Sequence, residues 1–313
     1  MKGLELCKEF YNQFGAPMLK EKFSEILPLI SVGLVGSGSE CLGFDDDISC
    51  DHDFEPGFCI FLPDDDIIGR DIAFALERAY SGLPKEFLGY KRNPLNPVGG
   101  NRHGVIRLSD FLMEKTGSPN GKLHDKDWFF VPEQSLSEVT NGELFYDKSG
   151  VFSKIRQELS YFPQDVALKK LAGNLLIMGQ AGQYNYPRML KRGDTAAAQL
   201  SVIEFTKSAI NAIFIINKSY VPYYKWCFRG LCELHRLSHL STALEYLISS
   251  PNDAEAVKMK LSLIEQISSE IITVIKADNL SDFNRTELEG HAYSVNEKIV
   301  DSNIRNLHIL YGV

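Results

Sequence analysis

The chain has 313 residues, of which 44% are hydrophobic and 24% charged, the balance of a folded globular protein with room for two domains. A net charge of −8 and a pI near 5.5 argue against a broad surface for coating nucleic acid, which needs clustered Lys and Arg. They leave room for a small basic pocket around a nucleotide.

In chain order, Phe10, Phe14, Leu19, Phe23 and Ile26 recur at helical spacing, so the pattern predicts a first helix over residues 4–27, kinked at Pro17 and ended by Pro28. Ile30 to Val35 is a short β-rich run stopped by glycine, and Phe58 to Leu62 reads as a buried strand. Residues 69–81 read as a helix with Ile72, Leu76 and Tyr80 on one face. Residues 83–102 are rich in Pro, Gly and Asn and read as a long loop. His103 to Leu108 is a third strand candidate, with Ser109 placed to cap a short helix through Met113. Residues 117–147 are mixed, centred on Trp128, Phe129, Phe130 and Val131.

From Val151 onward helical periodicity dominates. It predicts helices over 151–161, 164–180, 195–218, 223–247, 253–277 and 288–307, with Pro163, Pro187, Pro222 and Pro251 in the gaps and Asp194 as a cap. The expected architecture is α+β: a small mixed-sheet domain over 1–150 and an all-α helical bundle over 151–313.

The cysteines Cys7, Cys41, Cys50, Cys59, Cys227 and Cys232 contain no CxxC pair, which disfavours structural zinc. The opening Met1-Lys2-Gly3-Leu4-Glu5 lacks the apolar run of a signal peptide, and no uninterrupted apolar stretch reaches membrane-spanning length. Scattered cysteines without an export signal fit a reducing cytoplasm, with no membrane partner expected.

The informative stretch is Val35-Gly36-Ser37-Gly38-Ser39-Glu40-Cys41-Leu42-Gly43-Phe44-Asp45-Asp46-Asp47-Ile48-Ser49-Cys50-Asp51-His52-Asp53-Phe54. A strand ends in a glycine-serine turn whose backbone N–H groups can approach phosphate oxygens, with Ser37 and Ser39 adding hydroxyls. Asp51 and Asp53 then alternate. On a strand they share a face, and two such carboxylates can hold Mg²⁺ (or Mn²⁺), which prefers hard oxygen ligands and completes its shell with phosphate and water. That donor set suits nucleotidyl transfer from an NTP.

The Gly-Ser turn followed by Asp-x-Asp resembles the DNA polymerase β-like nucleotidyltransferase superfamily. The longer run resembles the DUF4037 family, a bacterial nucleotidyltransferase-like group. His103-Gly104-Val105, Asp127-Trp128, Gly142 to Asp147, Tyr161-Phe162-Pro163, Arg192-Gly193-Asp194 and Val221 to Trp226 extend the resemblance over roughly residues 30–230. It implies that Gly36 and Ser37 form the phosphate turn and that Asp51 and Asp53 form the metal pair. Kanamycin-nucleotidyltransferase-like members add a C-terminal helical bundle. The superfamily pattern places a third acid near Ile106, where this sequence has isoleucine followed by Arg107, with Asp110 beyond the strand.

Two readings follow. In one, the chain moves a nucleoside monophosphate from an NTP to a hydroxyl on a small molecule, protein or tRNA, releasing pyrophosphate. In the other it is a catalytically impaired nucleotide sensor. Lys225, between Tyr223, Tyr224 and Trp226, is a candidate phosphate contact; the alternative is a surface lysine on an aromatic helix face. Arg188, Lys191, Arg192 and Asp194 either close over phosphates or cap helices. Asp45, Asp46 and Asp47 read first as a solvated loop, and second as further acids that help bind metal. His52 reads as a packed or hydrogen-bonded neighbour of the acids, and Glu40 as a cap or orienter of the turn or a residue near the ligand.

Overall fold

The computed structural model describes residues 1–50, 54–92 and 103–313. The fold is α+β and divides into two compact units, Met1–Leu123 with Val131–Ser160, and His124–Phe130 with Tyr161–Val313.

The first unit opens with one helical run. It comprises α1 (Gly3–Phe10), a π-helical stretch (Tyr11–Gly15) and α2 (Ala16–Lys22). The run ends before Phe23, earlier than the apolar spacing predicts. Pro17 lies in the first turn of α2, where its missing N–H is tolerated. The strands β1 (Ser31–Leu34) and β2 (Cys59–Leu62) flank α3 (Ser39–Leu42). After β2 come α4 (Arg70–Ser81), a hairpin of β3 (Glu86–Phe87) and β4 (Tyr90–Lys91), β5 (Gly104–Arg107), α5 (Leu108–Thr116), α6 (Glu133–Thr140), β6 (Glu143–Asp147) and α7 (Val151–Glu158).

Four strands form one mixed sheet in the order β5-β2-β1-β6. β1 pairs antiparallel with both β2 and β6, and β2 pairs parallel with β5, with Ile60 opposite Val105. Alternation along β2 sends Ile60 and Leu62 into a core with Leu6, Phe10 and Phe58. Phe61 points the other way, with ring centroids 5.2 Å from Phe111 and 4.8 Å from Phe152. Both faces are thus covered, which explains why β1 and β2 read as continuous apolar runs.

Several sequence expectations give way here. The hairpin 86–91 lies inside the predicted loop, turning on Leu88 and Gly89, both with positive φ. Ile72 is exposed on α4, while Leu76 and Tyr80 are buried. Ser109 does not cap α5, which begins at Leu108; its hydroxyl bonds Asp64 instead.

The second unit is helical throughout its described residues. Gln164 to Lys191 is continuous: α8 (Gln164–Met178), a π-helical stretch (Gly179–Asn185) and α9 (Tyr186–Lys191), so Pro187 lies inside the run rather than in a gap. α10 (Thr195–Ile216) starts at Asp194, whose side chain accepts from the Ala197 N–H at 2.9 Å, as expected of a cap. The single helix expected over 223–247 is instead a 3₁₀ turn at Tyr224–Trp226, α11 (Cys227–Cys232), a second 3₁₀ turn and α12 (Ser241–Ser249), broken at Leu237 in the left-handed region. α13 (Ala254–Ala277), α14 (Leu288–Glu297) and α15 (Ser302–Arg305) complete the unit.

α10 is long and apolar enough by composition to cross a bilayer, but 61% of its most apolar window is buried against neighbouring helices. Its hydrophobicity therefore serves a core. The core also holds Lys169 on α8. Its Nζ donates to Asn296 Oδ1 (2.7 Å), Arg305 O (3.0 Å) and Leu307 O (2.8 Å), tying α8 to the C-terminal segment.

Candidate functional site

β1 is buried along its length and delivers the chain to a turn with two left-handed glycines, Gly36 (φ 113°) and Gly38 (φ 139°). Side chains rarely adopt such backbone, which is why the turn needs glycine at both positions. α3 starts directly after it. Gly36 is buried, Ser37 is exposed and Ser39 is half-buried.

The Gly36 amide is not free to meet an anion. Its N–H donates to Asn141 Oδ1 at 2.9 Å, and its carbonyl accepts from Asn141 Nδ2 at 2.8 Å. Gly36 therefore serves the turn through its conformation and its two hydrogen bonds to Asn141.

Asp51 and Asp53, with His52, lie outside the described residues. In chain order they fall between the 3₁₀ turn Ile48–Cys50 and β2, the strand hydrogen-bonded to β1. Among the described residues no group of three or more His, Cys, Asp or Glu is placed to hold a metal ion.

The acidic loop splits into two roles. Asp46 and Asp47 are exposed, as a solvated loop requires. Asp45 is buried, and its Oδ2 accepts from the Gly3 N–H at 2.8 Å. Lys2 Nζ stands 3.6 Å from Asp45 Oδ1 and donates to the Asp45 carbonyl at 2.6 Å. A carboxylate at the first turn of α1 satisfies an unpaired amide and meets the positive end of the helix dipole. Glu40, on α3, is also buried.

β5 carries no acid. Ile106 pairs with Phe61, and Arg107 turns to Asp65 at 2.6 Å. That contact and a hydrogen bond from Arg70 hold the Asp65 carboxyl below its usual range, with the Arg70 hydrogen bond the largest cause. Asp110 is exposed in the first turn of α5.

Three features escape the sequence reading. His103, just ahead of β5, is buried with Nδ1 3.1 Å from Glu55 Oε1, and among the described residues its Nε2 has no hydrogen-bond partner. Asn141 sits 105 residues from Gly36 in sequence. Asp147, at the end of β6, accepts from Ser31, Ser149 and Ser153. Burial works to raise the Asp147 carboxyl, but these hydrogen bonds outweigh it and its pKa falls below the usual value. The signal for Asn141 was faint: a Thr-Asn-Gly turn just before a strand.

Lys225 belongs to the second unit, exposed in the 3₁₀ turn with Nζ 5.3 Å from the Trp226 ring centroid. Tyr223 and Tyr224 are exposed beside it, their ring centroids 4.4 Å apart. Arg188 stacks on Tyr184, its guanidinium carbon 4.6 Å from the ring centroid, and donates to the Tyr184 hydroxyl at 2.7 Å. Asp194 caps α10. The capping reading thus holds for Asp194, while Arg188 is taken up by the Tyr184 side chain.

No curated protein and no solved structure matches the chain. A family model does match part of it. The matched segment takes in Trp128, Asn141 to Asp147, Tyr161-Phe162-Pro163, Arg192-Gly193-Asp194 and Val221 to Trp226, and it stops short of the stretch from Gly36 to Asp53. That segment, residues 128–227, is similar to the family described as Domain of unknown function (DUF4037).

Proposed function

We propose that the chain binds a Mg-nucleotide at the turn after β1 and transfers the nucleoside monophosphate to a hydroxyl acceptor with release of pyrophosphate. The observation that carries this reading is the pair of left-handed glycines at Gly36 and Gly38. They lie between a buried strand and a helix, and that strand pairs with β2, the next strand in the chain after Asp51-His52-Asp53. Ser37, Gly38 and Ser39 would hold phosphate oxygens, on a turn shaped by Gly36. Asp51 and Asp53 would hold Mg²⁺ or Mn²⁺, which supplies charge neutralisation on the triphosphate. The acceptor class is a small molecule, a protein or a tRNA hydroxyl. The resemblance to nucleotidyltransferases supports the assignment of the residues, and the DUF4037 match supports only the family of the segment from 128 to 227.

A second reading keeps the nucleotide and drops the turnover. β5 offers isoleucine and arginine where a third acid would take the acceptor proton, which favours a nucleotide sensor. Thermal melting with ATP, GTP, CTP and UTP plus Mg²⁺ tests both readings at once; no shift with any of them removes both. Binding without pyrophosphate release across candidate acceptors selects the sensor.

A further inference from the structure

The loop on which the nucleotide reading depends, Gly36 to Cys41, is held at both ends by two consecutive residues of a distant segment. Asn141 brackets Gly36 with its carboxamide. Gly142 then donates its N–H to the Cys41 carbonyl at 2.8 Å. Gly142 has φ 60°, and a Cβ there would collide with the Leu34 carbonyl oxygen, so only glycine lets the segment come this close.

The holding segment is itself held. Arg156 reaches from α7 and donates Nη2 to the Thr140 carbonyl at 2.8 Å and to the Asn141 carbonyl at 2.6 Å. Its guanidinium carbon lies 5.9 Å from the Phe152 ring centroid, against the aromatic layer under the sheet. The path therefore runs from the packed layer through Arg156 and Asn141 to Gly36. The β1–β6 ladder ends with Leu34 opposite Glu143. Beyond that last main-chain pair, the Asn141 side chain meets both polar groups of Gly36.

A loop with two left-handed glycines has a large conformational freedom of its own. Its amides can meet phosphate oxygens only if that freedom is removed before the ligand arrives. We propose that Asn141 and Arg156 are positioning residues for phosphate recognition, fixing Gly36–Cys41 in its binding shape without touching the ligand. This rests on the nucleotide reading of the same turn. Both residues lie in the segment similar to DUF4037, whereas the turn lies outside it.

The test has two arms on the full chain. Amide hydrogen exchange of the free protein is followed for Asn141→Ala and Arg156→Ala. Exchange across residues 36–41 should rise at least tenfold, with β2 unchanged. Binding of ATP, GTP, CTP and UTP with Mg²⁺ is then measured by calorimetry at a temperature where each variant is folded. The nucleotide that binds wild type tightest should bind Asn141→Ala at least tenfold more weakly. Asn141→Asp should also bind at least tenfold more weakly: it keeps the acceptor for the Gly36 N–H but loses the donor to the Gly36 carbonyl and adds a negative charge beside the turn. If either alanine variant does not fold, Asn141→Asp and Arg156→Lys carry the same comparison. Unchanged exchange overturns the clamp. Faster exchange with wild-type affinity overturns the positioning role and leaves the nucleotide reading standing. A wild type that binds none of the four overturns the nucleotide reading, and the phosphate role with it.

Discussion

The Asn141 carboxamide and the Gly36 peptide exchange two hydrogen bonds, 2.9 Å from the Gly36 N–H and 2.8 Å to its carbonyl. The glycine turn is therefore part of the sheet's framework and not a free loop at its end. Asn141→Ala leaves both polar groups of Gly36 unpaired in a part-buried place, so stability should fall by about 1–3 kcal/mol. Urea unfolding measures it; a loss below experimental error would mean the bracket contributes nothing to the fold.

Asp45 should behave as a helix cap. Asp45→Ala removes the acceptor for the Gly3 N–H and the partner of Lys2, a loss of about 1–2 kcal/mol. Lys2→Ala should cost less, since Lys2 is exposed. If Asp45→Ala keeps full stability but weakens Mg²⁺ binding, Asp45 belongs with the metal and the cap assignment is wrong.

Lys169 is buried, and its ammonium donates to three oxygen acceptors. Lys169→Met keeps the packing volume and strands the Asn296, Arg305 and Leu307 oxygens, which should cost about 2–4 kcal/mol. The C-terminal segment from Arg305 onward should lose hydrogen-exchange protection first. Equal or greater stability in the variant would contradict this.

The pH dependence has an acid and an alkaline limb. The Asp147 carboxyl is lowered in the fold, so its contribution is present above the unfolded carboxylate value and fades as pH falls through the folded one. Ser153→Ala should flatten that acid limb. Burial, with a smaller push from Tyr146, raises Tyr11 from 10.0 to about 12. Its contribution is complete below pH 10.0 and is lost as pH rises towards about 12. Tyr80, buried against Phe58, shifts in the same direction. Unfolding scans at closely spaced pH values read both limbs. Tyr11→Phe should flatten the alkaline one.

Local signals made much of the fold legible. Ile30 to Val35 and Phe58 to Leu62 announced β1 and β2 because both faces of those strands are buried. Asp194 announced α10 because a cap acts within its own turn. What escaped depended on distance or on period. Asn141 and Gly36 meet across 105 residues, and neither neighbourhood hints at the other. The π-helical stretches at Tyr11–Gly15 and Gly179–Asn185 each add a residue to the turn, so a 3.6-residue pattern slips there. The break before α12 falls at Leu237, a residue that signals no turn. At the site, the strand and the glycine turn at Gly36 are readable, and the short helix Ser39–Leu42 is not. The occupied Gly36 amide, the buried Asp45 and the His103–Glu55 pair were not, because each is decided by a partner that periodicity does not name.

Gly36 to Ser39, with Asp51 and Asp53, are proposed to form a metal-dependent nucleotide site. The most direct measurement is calorimetric titration of wild type and of the Asp51→Asn/Asp53→Asn double variant with each NTP, with Mg²⁺ and with EDTA. The account predicts saturable wild-type binding that needs Mg²⁺ and falls at least tenfold in the double variant. Equal affinity in the two proteins, or binding indifferent to EDTA, would contradict it.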